Sequence, residues 1–251
     1  MSDLALDERR SVADRILGHA KLERNVTRVA SSLIDGFSGS AHKTFFDPSE
    51  FPWIAPIEAE WRKIRAELDR VMDDVTRLPG FEELSSSQSH ITSDKRWKTY
   101  FFRTFSSWAE ENCAACPETT RLLKTIPGLQ TAFFSIFEAG KHLPEHCGVY
   151  KGVLRYHLGL IVPEPASECA IRVGNETRHW AEGQSLVFDD SHPHEAWNHT
   201  DRPRVVLFLD FERPLPLPIA LVNRLAISIQ SRTAFVAELR GNQDKGAPAA
   251  C

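Results

Sequence analysis

The chain has 251 residues, 42% of them apolar, which is enough for one sizeable core with peripheral helices and too little for two full domains. A formal charge of -4 and a pI near 6.2, with no Lys/Arg run, disfavour a nucleic-acid partner. The longest apolar runs, such as Ala132 to Phe137 and Val205 to Leu209, are strand-sized, so no membrane span is expected. The charged first thirty residues do not read as a signal peptide, and a cytoplasmic protein is the expectation.

In chain order, Val12, Ile16, Val26, Val29 and Leu33 fall at helical spacing behind a Ser11/Asp14 pair that resembles a capping box, predicting an N-terminal helical extension over residues 1–40. A second helix is predicted from about Ile57 to Leu78, stopped by Pro79-Gly80. From Trp97 the texture becomes short β-branched and aromatic runs between Pro, Gly, Asn and Asp. Strands are predicted at Trp97–Arg103, Leu129–Glu138, Gly152–Val162, Cys169–Val173, Glu176–Trp180, Ser185–Phe188, His194–Asn198 and Arg204–Phe211, with a helix near Thr119–Thr125. The fold class is therefore mainly β with flanking helices, a double-stranded β-helix (jelly roll, cupin-like) over residues 41–215. Residues 216–251 predict a C-terminal helix, with Val222, Leu225, Ile229, Val236 and Leu239 on one face, and a flexible tail. The terminal helices also offer a route to a homo-oligomer.

Five cysteines, an odd and scattered set, argue against a disulfide framework, and Cys113-x-x-Cys116 lacks the second pair or histidines of a zinc site. Strand alternation puts Leu154, Tyr156, Leu158 and Leu160 on one face and Arg155 with His157 on the other. Those two are either the solvent face of an edge strand or an interior pair that holds a polar ligand. The run from Phe188 through Asp189, Asp190, His192 and His194 to Trp197, followed by Arg204, sets metal-binding imidazoles near a carboxylate-clamping guanidinium and suggests a metal beside an organic acid.

The stretch Phe134-Ser135-Ile136, Pro144-Glu145-His146-Cys147-Gly148, Leu154-Arg155-Tyr156-His157-Leu158-Gly159-Leu160, Phe188-Asp189-Asp190-Ser191, His194-Glu195-Ala196-Trp197 and Arg204 resembles the catalytic domain of aspartyl/asparaginyl β-hydroxylases, in order across roughly residues 45–214. The resemblance implies a double-stranded β-helix binding Fe(II) and 2-oxoglutarate and consuming O2, a 2-oxoglutarate-dependent dioxygenase. By motif, His146 and His194 are then the iron ligands and catalytic residues. Arg204 grips the far carboxylate of 2-oxoglutarate, while Ser135, Arg155, His157 and Trp97 belong to the cosubstrate pocket. Gly148 stands where related oxygenases carry a carboxylate ligand two residues after the first His. Two completions of the iron site stay open: two histidines plus the cosubstrate, or a carboxylate such as Asp190 or Glu145 from elsewhere. His192 is expected to lie behind or outside the ligand set. The expected substrate is a small molecule or peptide, hydroxylated at the β-carbon of an Asp/Asn-type residue. Alternatives are a lipid acyl-chain hydroxylase and a non-catalytic cupin-like binding protein.

Overall fold

The computed structural model describes residues 25–40, 42–84, 92–105, 107–148 and 150–242. Its helices are α1 (25–37), α2 (Ile54–Ala59), α3 (Trp61–Met72), α4 (Phe81–Leu84), α5 (Glu110–Ala115), α6 (Pro117–Leu123), α7 (Ile219–Gln230) and α8 (Ala234–Asn242). Its strands are β1 (Phe45–Phe46), β2 (Trp97–Thr104), β3 (Ser107–Trp108), β4 (Leu129–Phe137), β5 (Lys141–His146), β6 (Val153–Ile161), β7 (Cys169–Val173), β8 (Glu176–His179), β9 (Ser185–Phe188), β10 (His194–Asn198) and β11 (Arg204–Glu212).

Two antiparallel sheets carry the fold: β1-β9-β6-β11-β4-β2-β3 and the smaller β5-β10-β7-β8. This is the double-stranded β-helix expected from strand spacing, with strong alternation in β4, β6 and β11 sorting side chains between two cores. The outer core lies between the large sheet and α2, α3 and α6, and holds Ile57, Ile64, Leu68, Tyr156 and Leu158. The inner core lies between the sheets and holds Phe133, Phe137, Val206 and Phe208 from the large sheet against Leu143, Ile171, Val173 and Ala196 from the small one. Arg155 and His157 point inward on β6, a central strand between β9 and β11, so the edge-strand reading does not apply.

Several expectations are corrected. The single helix over Ile57–Leu78 is two helices parted at Glu60, with a 3-10 turn at Val75–Arg77. The strand Lys141–His146 was not foreseen because its polar, Pro-containing sequence does not alternate cleanly; it is an edge strand, where Pro144 breaks no ladder. The C-terminal helix is two, separated near Ser231–Thr233. On α7 the buried stripe is Asn223, Ala226 and Ile227, while Leu225 is exposed, as is Val29 on α1. Val12, Ile16, the Ser11/Asp14 pair and the terminal tail lie outside the described residues, as does the side chain of Val236.

Cys113 and Cys116 are buried thiols in the outer core, and burial pushes Cys116 up to about 12, as suits a structural pair. No helix among the described residues is long and apolar enough to cross a membrane.

Candidate active site

His146 and His194 are cross-strand partners on β5 and β10, and their rings lie 4.1 Å apart. A bulge brings them together. Between the pairs Ala196↔Leu143 and His194↔His146, β10 advances two residues and β5 three. Since Leu143 faces inward, strict alternation would have turned Glu145 in and His146 out. The extra residue at Pro144–Glu145 reverses the parity and aims His146 at the interior.

Both rings are oriented by backbone carbonyls: His146 Nδ1 lies 2.8 Å from the Pro144 carbonyl and His194 Nδ1 3.0 Å from that of His192. A carbonyl only accepts, so each Nδ1 donates, which in a neutral ring leaves on Nε2 the lone pair a metal needs. Burial first, then the nearby Arg155 and His146, pull His194 down to about 3, so its ring is neutral. His192 meets this pair through its backbone carbonyl, at His194 Nδ1.

Arg204 heads β11 and is 1% exposed. Its guanidinium is sandwiched between the rings of Phe137 at 3.8 Å and Trp180 at 4.4 Å, and its one hydrogen bond is a 3.4 Å contact from Nη1 to the Ser135 carbonyl. Its Nε has no partner, and among the described residues no carboxylate pairs with it. Burial pulls its pKa down to about 10. A buried, unpaired guanidinium costs several kcal/mol, so the pocket is built for an anion. Beside it, Trp97 donates its indole N–H to Ser135 Oγ at 3.0 Å, which leaves the hydroxyl proton of Ser135 free to turn toward that anion. Trp97 thus stands behind Ser135, stacked on Phe81 at 4.1 Å, and serves the pocket through it.

His157 is buried, and burial, with Arg204 and Arg155 nearby, holds its pKa well below the usual range. Trp180 donates to its Nδ1 at 3.3 Å, so the proton sits on Nε2, which has no acceptor. Arg155 is not an isolated cation: it bonds Asp210, its cross-strand partner, at 2.9 Å, and Asp190 at 2.9 Å. Burial raises both carboxylates against the pull of Arg155.

Of the carboxylates considered for the metal, Glu145 points outward to Arg172 at 2.8 Å. Asp190 lies against Gly148, where an added Cβ would run into its carboxylate, and its buried Oδ1 has no partner. Among the described residues no group of three metal-ligating side chains is assembled.

The structure therefore gathers His146, His194, Trp97, Ser135, Arg155, His157 and Arg204 into one interior. Sequence reasoning gave no site role to Asp210, Phe137 or Trp180, although Trp180 stands within the stretch that resembles the family. Asp210 had a signal: on β11 it follows Arg204, Val206 and Phe208 on the inward face, a charge at an interior position.

A family model described as aspartyl/asparaginyl beta-hydroxylase matches residues 58–214. The chain belongs to the aspartyl/asparaginyl β-hydroxylase family. The same relationship shows in an ornithine lipid ester-linked acyl 2-hydroxylase from Rhizobium tropici, 46% identical over 225 residues that cover 90% of this chain and 80% of that protein. The human aspartyl/asparaginyl beta-hydroxylase is 31% identical over 166 residues, 64% of this chain but only 21% of that protein. Among solved structures, the cupin domain of an XRE-family regulator from Enterobacter cloacae overlaps 34% of this chain and 82% of its own, at 21% identity and a TM-score of 0.28.

Proposed function

We propose that the protein is an Fe(II)- and 2-oxoglutarate-dependent hydroxylase whose substrate is the acyl chain of a lipid. The observation that carries the cosubstrate is Arg204: a buried guanidinium without a counterion, with the Ser135 hydroxyl beside it, is the complement of a carboxylate. The donor set fits the metal as well, since two imidazoles whose Nδ1 atoms are held by backbone carbonyls, that of His194 neutral, are ligands suited to iron. The lipid substrate rests on the Rhizobium tropici relative, which matches 90% of the chain, whereas the human enzyme matches 64%. A peptide Asp/Asn substrate is the second reading, supported by that human relative.

In this reading His146 and His194 hold the iron, and the ion with its oxo acid and O2 supplies the oxidising power for an unactivated C–H bond. The protein positions and shields. Arg204 and Ser135 anchor the distal carboxylate, fixing the length of the oxo acid that fits. His157 Nε2–H is a donor for the other carboxylate, and Arg155, steadied by Asp210, adds positive charge on the same side. Where Gly148 supplies no ligand, the space beside it is filled by the Asp190 carboxylate, whose buried Oδ1 has no partner. The inner-core aromatics keep bulk water from the pocket.

The test is oxygen-dependent succinate release after anaerobic loading with Fe(II) and 2-oxoglutarate, across an ester-acylated ornithine lipid in detergent, a free fatty acid and an Asp/Asn peptide. Release with the acyl lipid is expected. Release with the peptide alone would favour the second reading, and none with any substrate, together with no 2-oxoglutarate binding, would make the pocket a binding site for another anion.

A further inference from the structure

Among the described residues, five large apolar side chains are more than half exposed: Val29 at 53%, Phe37 at 70%, Leu217 at 72%, Leu221 at 57% and Leu225 at 57%. All five belong to α1, to α7 or to the turn that enters α7. Leu221 and Leu225 lie one turn apart on α7, and Leu217 stands in the turn just before it. The two helices meet through Ala30, Ala226 and Ile227, with Tyr150 in the same cluster. Scattered exposed leucines need no explanation, but concentration on one helix pair does.

Unpaired charge on this face is positive among the described residues. Residues 214–232 contain no Asp or Glu; they carry Arg224, which pairs with Glu212 at 3.1 Å, and the exposed Arg232, while α1 adds the exposed Arg28 and an exposed acid, Asp35, that is engaged by Lys151 at 2.5 Å. An apolar patch flanked by arginines is the composition of an interfacial helix on an anionic lipid surface.

The face is also tied to the site. Asn223, buried on α7, accepts from the Tyr150 hydroxyl at 2.6 Å and donates to the Gly152 carbonyl at 2.9 Å. Arg213, just before the turn into α7, donates to the Lys151 carbonyl at 2.8 Å and pairs with Asp189, next to Asp190. The helix pair thus holds the segment that follows His146 and Gly148.

We propose that the α1–α7 face is a docking surface for an anionic phospholipid bilayer, seating the protein so that a membrane lipid can reach the pocket. This rests on the acyl-chain reading of the site, but its test does not need turnover. Full-length protein is co-sedimented with vesicles of equal parts phosphatidylcholine and phosphatidylglycerol and with phosphatidylcholine alone, against the variant carrying Leu217→Ser, Leu221→Ser and Leu225→Ser. These side chains lie mostly in water, so the variant should keep the wild-type thermal transition.

Wild type should bind the anionic vesicles, more weakly at high salt and on the neutral ones, and the variant should lose at least about tenfold in binding. Three outcomes overturn the proposal: wild type that does not bind, a variant that binds as wild type does, and a wild-type dimer that the variant turns into a monomer, which would make the face a contact between two copies. A variant with a lowered thermal transition would overturn it too, because the patch would then be covered within the chain. Vesicle binding by wild type that releases no succinate with detergent-dispersed acyl lipid would leave docking standing and remove the acyl-chain reading instead.

Discussion

Two residues decide how far the pocket resembles a familiar oxygenase site. Arg204 is buried without an ionic partner among the described residues, so a carboxylate bound there, as proposed, would make a charge-assisted and dry contact. Arg204→Ala should raise the 2-oxoglutarate requirement roughly a hundredfold, the equivalent of about 2–3 kcal/mol, and leave Fe(II) affinity nearly unchanged. Arg204→Lys should recover little, because a lysine cannot lie flat between Phe137 and Trp180 and still present two donors. Titrating succinate release with each component separates the two effects. Gly148 offers the converse test. Replacing it by Asp, the obvious way to restore a third ligand, drives a side chain into the buried Asp190 carboxylate and sets two acids against one arginine. The single variant should lose about 2–3 kcal/mol in urea unfolding, and Gly148→Asp with Asp190→Gly should regain most of it. Equal stability of the single variant and wild type would show that Asp190 does not occupy this position.

Elements are held in place by contacts far apart in sequence. Glu67, 4% exposed on α3, accepts from the backbone N–H groups of Glu118 at 2.9 Å and Thr119 at 2.8 Å and from the Thr119 hydroxyl at 2.7 Å. It therefore caps the N-terminus of α6 from another helix, satisfying donors that α6 cannot satisfy itself and placing a negative charge at the positive end of its dipole. Glu67→Ala should lower stability by about 3 kcal/mol in urea unfolding, since hydrogen bonds to a charged acceptor are lost and buried donors are stranded. Glu67→Gln should lose less, because the amide oxygen can still accept. Neither should alter 2-oxoglutarate affinity, as α3 and α6 lie on the outer side of the large sheet. Local reading recovers helix α6 from Pro117 and its apolar spacing, but nothing near it announces a cap fifty residues away.

At the scale of the whole molecule, the C-terminal part closes the structure at two points. Helix α7 packs with α1 at the segment that follows His146, while α8 lies against α4 and β2, where Asn242 donates to the Leu84 carbonyl at 3.3 Å. Leu239 of α8 is buried in the inner core, in the same cluster as Phe81, Leu84 and Trp97. Trp97 in turn holds Ser135, so the last helix supports the proposed cosubstrate pocket through two layers of packing. Leu239→Ala should cost about 2–4 kcal/mol by removing buried methyl groups and leaving a cavity. A measured loss below about 1 kcal/mol in thermal or urea unfolding would mean that α8 is not docked in solution.

The sequence by itself determined the two-sheet architecture, the sharing of one strand face by Arg155 and His157, and through its motifs the family and the positions of His146, His194 and Arg204. Each of these is local. Alternation is a property of consecutive residues, and a motif keeps its spacing wherever the chain travels. Tertiary structure decided the rest. His146 faces inward only because a bulge against β10 changes the parity of β5, and register belongs to a pair of strands rather than to one. Arg155 meets Asp210 fifty-five residues on because β6 and β11 are neighbours in the sheet. Leu225 and Val29, apolar at helical spacing, read as part of an apolar helix face, and they are exposed: periodicity marks an apolar face, and only the packing of α7 against α1 determines which face is covered.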